Sequence, residues 1–107
     1  MVKKEIVKVL QRFVKGLKEE NIRIDKIILY GSMTTGKAHK YSDIDIAVVS
    51  PDFGRDRFEE GVRLRHIASH IDLRIENVPI SLKAYKEDTW LPLIYEIRTK
   101  GRELEWN

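Results

Sequence analysis

Residues 27–50 read Ile-Ile-Leu-Tyr-Gly-Ser-Met-Thr-Thr-Gly-Lys-Ala-His-Lys-Tyr-Ser-Asp-Ile-Asp-Ile-Ala-Val-Val-Ser. The pattern is that of two strands and the break between them. Ile22 to Tyr30 alternates at Ile22 and Ile24 and then turns wholly apolar, as a buried central strand does. Gly31-Ser32 ends it sharply. Residues 33–42 are polar, contain Gly36, and have room for one short helical turn and a loop. Asp43 to Ser50 is a second strand, closed by Pro51. Successive strand side chains alternate between faces, so Ile44, Ile46 and Val48 share one face. Asp43 and Asp45 head the other, followed by Ala47 and Val49.

Outward from this pair, Val2, Ile6, Val9, Leu10, Phe13, Val14 and Leu17 recur at helical spacing and predict an amphipathic helix over 2–20, stopped at Asn21. Residues 56–70 read as a helix with Phe58, Val62, Ile67 and Ala68 as its buried stripe. Ile71 to Ile80 reads as a third strand. Ile71, Leu73 and Ile75 would face one side of it, and Asp72, Arg74 and Glu76 the other. Ser81 is an N-cap for a short helix through Lys83 to Tyr85. Thr89 to Lys100 reads as a last helix, with Pro92 in its first turn and Gly101 as its stop. The expected class is α/β (α+β), a small mixed sheet flanked by helices. With no linker or repeat, one domain over residues 1–107 is expected.

Composition narrows the chemistry. The 107 residues carry 20 basic and 17 acidic side chains and no cysteine. Disulfides, zinc–thiolate sites and a cysteine nucleophile are excluded. Any metal must be held by carboxylates or by His39, His66 and His70. The longest apolar run, Ile27 to Tyr30, is far below the roughly 20 residues of a membrane span. The N-terminus has no signal-peptide pattern, and the chain reads as cytoplasmic and without membrane contact. The mild positive charge is compatible with an anionic ligand. The basic residues are dispersed among acids, and Tyr30, Tyr41, Phe53 and Phe58 form no stacking ladder, so direct nucleic-acid binding has little support.

Three features converge on one chemistry. Gly31-Ser32 at a strand end lets backbone approach a ligand closely, with a hydroxyl beside it, although Gly-Ser pairs are mostly plain turns. Asp43-Ile44-Asp45 places two carboxylates on one strand face, roughly 6–7 Å apart at their roots. Such a pair suits one or two magnesium ions, which also bind substrate phosphates. The alternative is the solvent face of an edge strand, which the depletion of aspartate in strands and the repulsion of like charges disfavour. Asp72 or Glu76 on the third strand would add a third carboxylate, unless Arg74 between them makes the three a salt-bridge ladder.

Gly31-Ser32, ten residues, then Asp43-Ile44-Asp45 and a later carboxylate resembles the minimal nucleotidyltransferase (MNT) family of the DNA polymerase beta-like superfamily. The likeness runs through all sixteen positions from Gly31 to Ile46. It continues in Ile71-Asp-Leu-Arg-Ile-Glu76 and in Glu96-Ile97 and Lys100-Gly101. The resemblance implies the polymerase beta-like fold and transfer of a nucleoside monophosphate from a triphosphate such as ATP to a hydroxyl, releasing pyrophosphate. It implies that Gly31 and Ser32 hold phosphates and that Asp43 and Asp45 bind two Mg2+ ions. Asp72 best matches the third carboxylate, a metal ligand that helps deprotonate the acceptor, with Glu76 as the alternative. Where the family often has a basic residue in the loop, this chain has Thr34-Thr35, and Lys37 or Lys40 would supply the charge.

Short members of this family resemble antitoxins whose partner is a higher-eukaryote-and-prokaryote nucleotide-binding (HEPN) toxin protein. The resemblance therefore implies AMP transfer to a tyrosine of such a toxin. Two other readings stay open: a non-enzymatic module that neutralises a partner by contact, and a stand-alone transferase for a small hydroxyl compound. A core this small leaves apolar surface that a homodimer would cover.

Overall fold

Apolar residues at helical spacing drive α1, Lys4–Glu19, whose Ile6, Val9, Leu10, Phe13, Val14 and Leu17 are all buried. The structure, a computed structural model, describes residues 3–39 and 42–105; Val2, Lys40 and Tyr41, used above, lie outside them. Asn21, at φ 59°, takes the left-handed conformation that ends α1. The remaining elements are β1 (Lys26–Tyr30), α2 (Ser32–Thr35), β2 (Ile44–Ser50), α3 (Arg57–Ser69), β3 (Ile75–Ser81), α4 (Leu82–Glu87), α5 (Pro92–Lys100) and β4 (Arg102–Glu103).

The four-stranded sheet has the order β3-β2-β1-β4. β1 is antiparallel to β2 and β4, and β2 is parallel to β3. The mixed sheet with helices is the expected class. β2 carries apolar side chains on both faces, as the alternation predicted. Ile44, Ile46 and Val48 join Ile27 and Leu29 in the core shared with α1 and α3. Ala47 and Val49 join Ile28 and Ile80 under Ile94 and Ile97 of α5. β3 is an outer strand, and Pro79 within it withholds one backbone donor, which blunts that edge against pairing with another chain. Among the described residues no helix is long and apolar enough to cross a membrane.

Several boundaries differ from the sequence pattern. The first strand begins at Lys26 and not at Ile22, because Arg23 is drawn aside by Asp52, which accepts from its backbone N–H at 2.9 Å and from its guanidinium. Ile22 is buried nonetheless. The third strand begins at Ile75. The N–H groups of Ile71 and Asp72 both donate to the Ala68 carbonyl, prolonging the helix end into a turn, and Leu73 is 86% exposed. On α3, Leu64, Ile67 and Ala68 face inward, whereas Phe58 and Val62 are exposed. The apolar residues of that helix lie on two sides, and the sheet covers only one. The last helix starts at Pro92, after a turn whose Leu91 N–H donates to the Asp88 carbonyl. Ser81 caps α4 as expected, its hydroxyl accepting from the Ala84 N–H at 3.0 Å.

Candidate active site

The site grows from the end of β1. Tyr30 is its last residue, and Gly31 follows at φ 71°, ψ −148°, a conformation open essentially to glycine alone. A Cβ there would also collide with the Asp45 carboxylate. Both constraints act at one residue, so the backbone turn and the carboxylate are packed against each other. Ser32 then opens α2. The Gly31 carbonyl accepts from the Thr34 N–H (3.0 Å) and hydroxyl (2.9 Å), and Gly36 closes the turn at φ 77°. Thr34 therefore braces the turn. Gly31→Ala is expected to destabilise the protein by about 1–3 kcal/mol from backbone strain alone. Its carboxylate clash would add to that, and a denaturant titration measures the loss.

The strand register sets the rest. Tyr30 pairs with Asp45 across β1 and β2, and Asp45 pairs with Glu76 across β2 and β3. Directly paired side chains share a face, so Tyr30, Asp45 and Glu76 form one row across the sheet. Asp43 precedes β2 by one residue. Its neighbour Ser42 is buried and holds the approach to the strand: the Ser42 hydroxyl accepts from the His39 N–H at 2.8 Å, and the Ser42 N–H donates to the His39 carbonyl at 3.0 Å. Lys37 is exposed just beyond Gly36.

Negative charge accumulates here. Burial raises the Asp45 pKa, and Asp43, Glu76 and Glu96 raise it further. Burial, followed by the charges of Asp45, Glu96 and Glu76, pushes the Tyr30 hydroxyl up to about 12. Among the described residues, no lysine or arginine forms an ion pair with Asp43, Asp45, Glu76 or Glu96. Within the same residues, no three acid or histidine side chains converge to hold a metal as they stand. The donors nonetheless fit magnesium in kind: hard carboxylate oxygens whose charge no ion pair among the described residues offsets.

Asp72 is not brought to this row. It lies in the turn before β3, where Arg74 binds both its oxygens: backbone N–H to Oδ1 at 2.9 Å, Nε to Oδ1 at 3.1 Å and Nη2 to Oδ2 at 2.8 Å. Arg74 also reaches Glu5 of α1 at 3.0 Å. The Arg74 guanidinium holds the Asp72 carboxyl below its ordinary value. The ladder that strand alternation suggested is therefore split into a turn clasp and a strand carboxylate. Two residues, Tyr30 in the row and Glu96 beside it, had no role assigned from sequence. Tyr30 is signalled by its place at the end of β1. Glu96 arrives through the packing of α5 on β1, which its local sequence does not announce.

The chain is similar to known proteins in sequence and in fold. The family model described as nucleotidyltransferase domain matches residues 10–104. A crystal structure of a toxin–antitoxin with AMP-PNP is 26% identical, with TM-score 0.60 over 90% of this chain and 72% of that one. A mutant of the toxin–antitoxin pair MntA–HpeT is 25% identical, with TM-score 0.56 over 92% of this chain and 72% of that one. A candidate nucleotidyltransferase from Sulfolobus solfataricus, at 14% identity, shares the fold with TM-score 0.63 over 92% of this chain and 78% of that one. No curated protein matches the sequence at a significant level. With the family model covering residues 10–104, the chain belongs to the nucleotidyltransferase domain family.

Proposed function

We propose that the protein transfers AMP from ATP to a hydroxyl of a partner protein, a tyrosine of a HEPN-type toxin, and so acts as an antitoxin. The observation that carries the reading is the row of carboxylates beside the Gly31 turn, with no lysine or arginine among the described residues paired to it. The likeness to toxin–antitoxin structures, one of them with AMP-PNP, supports the choice of nucleotide and partner class.

In this reading Asp43, Asp45 and Glu76 hold magnesium, and Glu76 takes the third position in preference to Asp72. Magnesium bound there would offset the charge of the triphosphate and the charge that grows during transfer. Gly31, lacking a side chain, lets the terminal phosphates approach the backbone, and the Ser32 hydroxyl donates to them. Lys37 adds a positive charge on the exposed side of the loop. The acceptor oxygen attacks the α-phosphorus, the bond to the β-phosphate oxygen breaks and pyrophosphate leaves. Glu76, exposed at the outer strand, takes the acceptor proton.

Orientation of the attacking hydroxyl is a large part of such a barrier, and a docked protein supplies it. Mixing the protein with its co-encoded partner, ATP and magnesium is expected to add AMP to that partner in intact mass spectra. Chelating the metal should remove the product. An unmodified partner that is nevertheless bound would indicate neutralisation by contact, and rapid modification of free sugars or aminoglycosides a small-molecule transferase.

A further inference from the structure

His66 is in the last turn of α3 and His70 caps that helix, its N–H donating to the Ile67 carbonyl at 3.3 Å. A spacing of four puts both on one side of the helix. Both are exposed, and their rings meet edge to face with centres 4.9 Å apart. Among the described residues neither imidazole takes part in a hydrogen bond or an ion pair. Two imidazoles bound through nitrogen to one metal ion, each at about 2.0–2.1 Å, hold their ring centres roughly 4.5–5.2 Å apart. The pair already stands at the separation of such a chelate.

The two rings open onto a cleft of about 410 Å³ between α1 and α3. Gly16 makes the close approach of the helices possible: a Cβ there would stand 2.8 Å from Ile67 Cγ2, which leaves no room for a side chain. Arg12, Lys15, Glu19 and Glu20 of the α1 side line the same cleft. The two acids balance the two bases, so the cleft sets no net charge against a cation. Ile67 belongs to the core that α1 and α3 share, whereas Tyr30 packs in the layer of α5 on the opposite face of the sheet. The cleft is therefore separate from the carboxylate row.

We propose that His66 and His70 chelate a transition-metal ion of the zinc, nickel or copper(II) class, with water filling its remaining positions. Imidazole nitrogen suits these ions, whereas magnesium and calcium take oxygen. The site thus differs from the carboxylate row in chemistry as well as in place. A bound ion ties residues 66 and 70 together and pins the last turn of α3, which leads directly into the turn before β3. An ion that binds the folded chain and not the unfolded one raises stability by mass action.

The test is a calorimetric titration of the untagged full chain with zinc chloride, in excess magnesium so that the carboxylate row does not compete for zinc. The unaltered protein should take up a single zinc ion per chain and melt at a higher temperature with it. Zinc affinity should fall by at least about tenfold in His66→Ala and in His70→Ala, the low end of what even an outer-shell partner of a metal costs. His39→Ala should bind zinc as the unaltered protein does. Both rings are exposed, so the metal-free histidine variants should keep the circular dichroism spectrum of their parent. Unchanged zinc affinity in either variant, or no zinc uptake by the unaltered protein, overturns the chelate. Zinc uptake that survives both variants and disappears in Asp45→Asn places the ion in the carboxylate row and overturns it as well.

Discussion

Asp45→Asn is expected to lower AMP transfer by at least about 100-fold while making the unliganded protein more resistant to denaturant at pH 7. The first effect follows from losing a carboxylate where charge must be offset during transfer. The second follows from the environment of Asp45. Burial and the charges of Asp43, Glu76 and Glu96 raise its pKa. A carboxyl raised on folding contributes stability that is fully present below its unfolded value, near 3.8, and lost as pH climbs through the folded value. At pH 7 the ionised group therefore works against the fold, and the amide does not. Relief of like charges across a strand pair is worth roughly 0.2–1 kcal/mol, reduced by solvent at this partly exposed site. Urea titrations at pH 7 and pH 4 check the sign: the variant should be the more stable at pH 7, and the gap should close at pH 4. Magnesium should raise the melting temperature of the unaltered protein and not of Asp45→Asn. A variant less stable than its parent at pH 7 would make the carboxylate a structural one.

Much of this site was legible because its parts are local. Alternation within a single strand separates Ile44, Ile46 and Val48 from Asp43 and Asp45, and no distant contact is needed to see it. Gly31 and Ser32 announce the turn by their chemistry, and Ser81 announces its cap. The illegible parts depend on contacts far apart in sequence. Ile71, Asp72, Leu73 and Arg74 alternate as a strand would. What makes them a turn is bonding back to Ala68 and the Arg74 guanidinium held between Asp72 and Glu5 of α1. Phe58 and Val62 look as buried as Ile67 until the sheet covers only one side of α3. The neighbour of Asp45 is set by the register of a parallel strand pair. No hairpin turn joins those strands, so sequence separation carries no register information.

That register yields the second large effect, a crossed pair of outcomes at two acids four residues apart. Glu76→Gln is expected to cut transfer by at least about 100-fold with little change in stability, because Glu76 sits beside Asp45 and no lysine or arginine among the described residues is paired to it. Asp72→Asn is expected to leave transfer within a fewfold and to cost about 1–2 kcal/mol of stability, since it breaks charge-assisted bonds at a partly buried site. The pH dependence separates them further. Arg74 holds the Asp72 carboxyl below its ordinary value of 3.8, so this stabilisation is present above the unfolded value and lost as pH falls through the folded one. The deficit of Asp72→Asn should therefore be full at pH 7 and shrink below about pH 4, near the unfolded carboxylate value. Denaturant titrations across pH measure the deficit, and intact mass spectrometry of the partner measures transfer. If Asp72→Asn stays folded yet loses more transfer than Glu76→Gln, the third carboxylate is Asp72. The Arg74 clasp would then have to open for the reaction to proceed.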